Sequence, residues 1–365
     1  MPETARILKF RPSTQGVEPS RSEVAAAVED FLAADNPDWD AISNPDVLLA
    51  VLVRNRENTD REPARVAEQA VAIYSWLANR NVPFGLFDEK DFFLGESSLV
   101  AAGAFRQLGQ YDASADWLER ADTSFQHTMN PAPLVARVQY QRLALKFGQR
   151  RYGSVIEFAP ALRSSFERLG LELEASKTFF MQGMALKNNG DLEGSFEVFR
   201  NLSSSPGNHS ESLRARALIE VGAYHGLSER YEDAVSSYQQ AATLLEATDE
   251  PMIMAHLKAS IGETYRAKGE LNLAIDSFRL AIKEYSDLGM AAMVAYCRVV
   301  TAETLIAAKR EREAEWELIA AFPVIEAQNL KEEGAAALLL LREAVTRRMM
   351  TEDVVSGMRR VLESK

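Results

Sequence analysis

The sequence predicts an all-α protein, a right-handed α-α superhelical solenoid of about six helix pairs with helical caps at its ends. Three observations predict it. Equivalent positions, small in all but one case (Leu143), recur at 102, 143, 183, 222, 262 and 302, at intervals of 41, 40, 39, 40 and 40 residues. Most are followed, beyond a turn, by a second set of small and aromatic positions at helical spacing. Leu and Ala are abundant, and the balance of 47% hydrophobic to 26% charged residues suits helix packed on helix.

The elements follow in order. Residues 1–21 read as a mobile basic segment with the cluster Arg6-Ile-Leu-Lys-Phe-Arg11, either a disordered start or a docking motif. Ser22 caps a predicted helix over Glu23–Ala33, with Ala25, Val28 and Leu32 inward. Asp35–Pro45 is a polar connector whose Trp39 needs a packing partner. Asp46–Asn55 and Glu62–Asn79 predict a further pair, a degenerate first repeat, so that residues 22–94 form an N-terminal cap. Phe84-Gly-Leu-Phe-Asp-Glu-Lys-Asp-Phe-Phe93 reads as an aromatic loop that packs across the first hydrophobic layer; the alternative is a partner anchor. The repeat array spans 95–330. Lys331–Arg348 and Thr351–Glu363 predict two closing helices within a 331–365 cap, whose polar outer face keeps an array soluble.

The clearest unit is Leu257–Leu288. Gly262, Tyr265 and Gly269 are followed by Ala274, Phe278 and Ala281. Gly262 lets two helices approach, and Phe278 is the large knob between two alanines. Gly222, Tyr231, Ala234, Tyr238 and Ala241 repeat the pattern. Gly183 with Phe199, Leu143 with Tyr152, Ala102 with Tyr111 and Leu118, and Ala302 with Ala314 and Leu318 continue it. These residues resemble the tetratricopeptide repeat. The interval is longer than that family's usual ~34 residues, which matches the long-repeat variety of bacterial regulatory and interaction proteins and implies longer helices. Phe166-Glu-Arg-Leu-Gly170 and Tyr285-Ser-Asp-Leu-Gly289 predict glycines in left-handed caps at the ends of second helices.

Charge and composition narrow the function. The net charge of −12 gives no basic footprint for nucleic acid and none for an anionic membrane. One cysteine, Cys297, forbids an internal disulfide framework and reads as a small buried hydrophobe. No signal peptide or membrane-length apolar run is legible, so a cytoplasmic protein is expected, and the Asn201 and Asn208 sequons carry no weight. Phosphate-loop, dinucleotide and hydrolase motifs are missing. His127, His209, His225 and His256 are scattered, with His225 read as a packing residue. The expectation is therefore a non-enzyme without cofactor or metal.

The resemblance implies that the first helix of each pair lines a groove. The groove-facing positions lie six and three before the small residue, and one and four after it. They give Glu96, Leu99 and Arg106; then Arg137, Tyr140 and Phe147; then Lys177, Phe180, Met184 and Lys187, with Asn188 beside them. Later pairs give His256, Glu263, Arg266, Tyr296 and Glu303. The middle of this set is cationic and aromatic, a composition suited to an extended acidic or C-terminal peptide segment; the alternative is an ordinary amphipathic surface. The leading expectation is a protein- or peptide-binding adaptor. A peptide- or ligand-sensing regulator acting through a separate effector, and an assembly scaffold, are the rivals. Self-association stays open.

Overall fold

A computed structural model describes residues 21–34, 37–79, 87–204, 210–246, 248, 250–327, 332–347 and 349–363. The basic cluster at 6–11, residues 84–86 of the aromatic stretch, and His209 lie outside the described residues. Among those described there are seventeen α-helices, one 3-10 turn and no strand. The chain divides into two compact units, up to Asn189 and from Gly190 onward.

The first unit contains α1 (Arg21–Ala33), α2 (Pro45–Asn58), α3 (Pro63–Asn79), α4 (Phe87–Gln107), α5 (Tyr111–Gln126), α6 (Pro131–Gly148), α7 (Tyr152–Arg168) and α8 (Glu172–Asn188). The second contains α9 (Leu192–Ser204), α10 (Glu211–Leu227), α11 (Tyr231–Glu246), α12 (Pro251–Lys268), α13 (Leu271–Asp287), α14 (Ala291–Ala307), α15 (Glu311–Ala327), α16 (Glu332–Thr346) and α17 (Glu352–Glu363). Within each unit neighbouring helices pack in sequence order, and the first helices of successive pairs also meet: α2 with α4, α4 with α6, α6 with α8, and α10 with α12.

Local chemistry sets the ends of these helices. Proline opens α2, α6 and α12, where its missing N–H is not needed. The Asn44 side chain accepts from Asp46 N at 2.8 Å, and Ser210 Oγ accepts from Leu213 N at 3.2 Å. Inside each repeated pair the turn takes one residue with positive φ: Gly109, Arg150, Gly190, Glu229, Gly269 and Lys309. Each stands seven places after its small residue, so the intervals read from the sequence return as a backbone conformation. Gly170 and Gly289 end α7 and α13 at φ 69°, as predicted, with Leu171 N and Met290 N reaching back to Phe166 O and Tyr285 O at 2.9 Å.

The cores follow the small–large pairing. An added Cβ on Gly222 would stand 2.5 Å from the Tyr238 ring, and one on Gly262 would stand 2.6 Å from the Phe278 ring. Only glycine allows these rings to lie flat against the first helix. Successive pairs are also tied by a repeated bond. Tyr111 Oη donates to Gly148 O at 2.8 Å, and Tyr231 Oη to Ala267 O at 3.3 Å.

The N-terminal elements find the partners they need. Trp39 packs edge-on to Phe31 at 5.5 Å and stacks on Trp76 at 6.0 Å. The aromatic stretch differs from a loop: α4 begins at Phe87, and Phe92 and Phe93 are buried in the core, with Phe92 against Phe125. The reason is the close approach at Gly95, where an added Cβ would stand 2.2 Å from that same Phe125 ring.

Candidate functional site

Every fortieth or forty-first residue of the first helices stands in one row: Arg56 on α2, Glu96 on α4, Arg137 on α6 and Lys177 on α8. Glu96 is fully buried. Arg137 grips its carboxylate with two bonds, 2.5 Å to Oε1 and 3.1 Å to Oε2, and Arg56 adds a third at 2.5 Å. Burial alone pushes this carboxyl up. The charges of Arg137 and Arg56, with their hydrogen bonds, outweigh that and hold it below its ordinary 4.5. The acid is thus a fixed anion that locks two guanidinium groups in place.

Above it lies a groove of about 320 Å³ within the first unit. Arg56, Thr59 and Asp60 form one wall at the end of α2. Leu99, Val100, Gly103 and Arg106 come from α4. Arg137, Tyr140 and Gln141 come from α6, Glu174 and Lys177 from α8, with Phe166 of α7 below. The lining carries four cations against two carboxylates, or three with Glu96 beneath, so it is locally positive in a chain of net charge −12. The Nε of Arg106 is buried and has no hydrogen-bond partner among the described residues. Gly103 leaves room: a Cβ there would meet only Thr59 Cγ2, at 3.9 Å.

Of the residues predicted to face a groove, Arg137, Tyr140 and Lys177 line this one, with Leu99 and Arg106. Phe147 instead packs edge-on to Tyr152 at 5.3 Å, and Phe180 is buried. Met184 is half-buried and accepts at its carbonyl from the Asn188 amide at 2.8 Å; neither these two nor Lys187 is in the lining. The groove rule does not select Arg56, Thr59 or Asp60, which the lining contains. Its own interval contains the signal for two of them, because Arg56 and Thr59 stand forty residues before Glu96 and Leu99.

The remaining positions belong to the second unit and meet a different environment. His256 is exposed on α12. Arg266 holds Glu263 at 2.9 Å and lies 3.6 Å from Glu303. The Glu303 side chain is only 6% exposed; Arg359 of α17 donates to it at 2.8 Å, and Ser356 Oγ bonds it too. Tyr296 Oη donates to Glu363 at 3.1 Å. Tyr296 and Glu303 are thus covered by the chain's own last helix.

Other candidates resolve simply. Cys297 is buried, and burial, then the charge of Glu263, push its thiol up to about 12. His225 packs edge-on to Phe196 at 5.4 Å, and burial, with Arg230, pulls its pKa down. No cluster of three or more His, Cys, Asp or Glu suited to a metal occurs among the described residues, and no helix there is long and apolar enough to cross a membrane.

Comparison with known proteins agrees with the fold. A tetratricopeptide repeat model matches residues 255–287. The structure is similar to a Rap protein solved in complex with competence and sporulation factor, at 12% identity and a TM-score of 0.54, covering 88% of this chain and 87% of that one. It is equally similar to the Rap conjugation gene regulator of the plasmid pLS20 in complex with the Phr* peptide, at 12% identity and TM-score 0.54, covering 87% and 89%. Aspartyl phosphate phosphatase F from Bacillus subtilis matches at 16% identity and TM-score 0.51, covering 96% and 86%. No curated protein matches the chain in sequence.

Proposed function

We propose that this tetratricopeptide-like repeat protein is a non-enzymatic binding protein whose first unit holds a peptide segment by a carboxylate. The observation that carries the reading is the cationic groove over Glu96. Arg137 and Arg56 are immobilised by the buried acid, so little side-chain entropy is lost when they meet a ligand. Arg106 offers a buried N–H without a partner among the described residues, and Lys177 adds a further positive charge. The Tyr140 ring and Leu99 give an apolar surface for the residue next to the carboxylate. Either a free C-terminus or an acidic side chain meets this chemistry.

The experiment is binding of short immobilised peptides, with free or amidated C-termini, to the full chain. Gly103→Leu fills the groove at a position where only Thr59 is near, and is expected to abolish binding without loss of helicity. Lys177→Glu is expected to weaken binding by about tenfold or more, whereas Lys187→Glu, outside the lining, leaves it unchanged. Undiminished binding by both Gly103→Leu and Lys177→Glu sinks the assignment.

A second reading, a peptide-sensing regulator acting through a separate effector, draws support from two of the similar structures, which are Rap proteins in complex with a factor or a peptide, one of them named a gene regulator. It adds a requirement to the first: ligand binding must change how the chain meets another protein.

A further inference from the structure

The second unit carries the same groove positions, yet a helix lies on them. Earlier in this unit a first helix meets the first helix of the next pair, as α10 meets α12. At the end of the chain α17, not α16, packs against α14, the last first helix of the array. It does so with two adjacent stripes at helical spacing. Val355 and Met358 are fully buried in one core with Val299, Ala302 and Leu305 of α14. Beside them Ser356, Arg359 and Glu363 meet Glu303 and Tyr296.

We infer that α17 is a ligand carried in cis: it fills a helix-binding groove of the second unit, and that groove accepts in trans an amphipathic helix with the same Ser/Arg face. The contacts differ in kind from those inside a pair, where Gly222 and Gly262 lie so close to the rings of Tyr238 and Phe278 that a Cβ would collide with them. The groove grips α17 with two buried side chains and with carboxylate, guanidinium and hydroxyl groups that an equivalent helix supplies as well. A segment of 12 residues is also too short to hold a helix alone, so its order depends on this docking. The acceptor is specific in charge. Glu303, deep in the groove, takes an arginine, and Tyr296 takes a carboxylate one turn further on. The partner this predicts is a helix with arginine one turn before an acid, and not the extended carboxylate segment of the first unit.

The test uses the full chain and a fluorescent synthetic peptide with the sequence of residues 350–363. Arg359→Glu in the chain sets a carboxylate against Glu303 and loosens α17. Anisotropy is expected to show the peptide binding the R359E chain about tenfold or more tightly than the wild type. A peptide with glutamate in place of Arg359 is expected to bind neither. Equal binding to the two chains, or no binding to an R359E chain that melts like the wild type, overturns the inference. A dimer that exchanges α17 between chains overturns the intramolecular form. Where R359E does not fold, hydrogen exchange on the wild type decides. Amides of α17 are expected to exchange together and well ahead of those of α14; equal protection overturns the inference. Lys177→Glu is expected to leave this binding untouched, so the two grooves fail separately.

Discussion

Arg137→Met removes two of the three bonds to a carboxylate that has no access to water, and keeps most of the arginine stem's bulk. Bonds to charged groups contribute about 1.5–3 kcal/mol each, and stripping a buried ion of its partner costs about 3–5 kcal/mol. Arg56 stays bound but is 40% exposed on its side chain, so it compensates in part. The expected loss at neutral pH is about 3 kcal/mol. The pH dependence carries the sharper signature. In the wild type Glu96 titrates below 4.5, so its contribution is complete above that value and is lost as pH falls through the lower folded one. Without Arg137, Arg56 alone opposes burial, so the folded pKa moves up from its wild-type position. The variant then takes up its proton first as pH falls, and the gap between the two proteins narrows on acidification. Urea unfolding followed by tryptophan fluorescence reads the right unit. Of four tryptophans, Trp39, Trp76 and Trp117 lie in the first unit, and Trp316 in the second is 78% exposed. Glu96→Gln in the Arg137→Met background removes the buried charge and is expected to recover most of the loss. A variant with the wild-type midpoint at neutral pH, or a gap that widens on acidification, refutes the reasoning.

Two further expectations concern the repeat itself. Gly262→Ala forces a methyl to 2.6 Å from the buried Phe278 ring; overpacking of about 1–3 kcal/mol outweighs a helix-propensity gain of about 1, so the second unit's urea midpoint falls, and Phe278→Leu in the same chain relieves it. Lys309→Gly relaxes a side chain held at φ 58° and raises thermal stability by about 0.5–1 kcal/mol, whereas a lowered melting temperature contradicts the left-handed turn.

The folding pattern is legible along the chain because its causes are local. A glycine opposite an aromatic and a left-handed residue in the turn act within one pair, a tyrosine opening the second helix reaches only to the next, and the pair recurs. Thus Gly262 with Phe278, and Gly170 and Gly289 as caps, stand where the residues predicted. The aromatic stretch is helical where its sequence suggests a loop because Phe92 is held by Phe125, a contact thirty-three residues away.

The site was less legible. Periodicity tells which face of a helix a residue occupies, but not what stands across from it. Glu96, Arg137 and Lys177 share one repeat position, yet one is a buried counter-ion, one its partner and one a groove wall, because their neighbours along the row differ in charge. Tyr296 and Glu303 satisfy the same rule as Tyr140 and Arg106, but in the second unit α17 lies over them. The sequence by itself therefore determined the helix pairs, their interval and the face that becomes a groove, since these follow from spacing and side-chain size. Only the tertiary structure decided which stretch of that face is open and which is filled, because that depends on long-range ion pairs and on where the last helix docks.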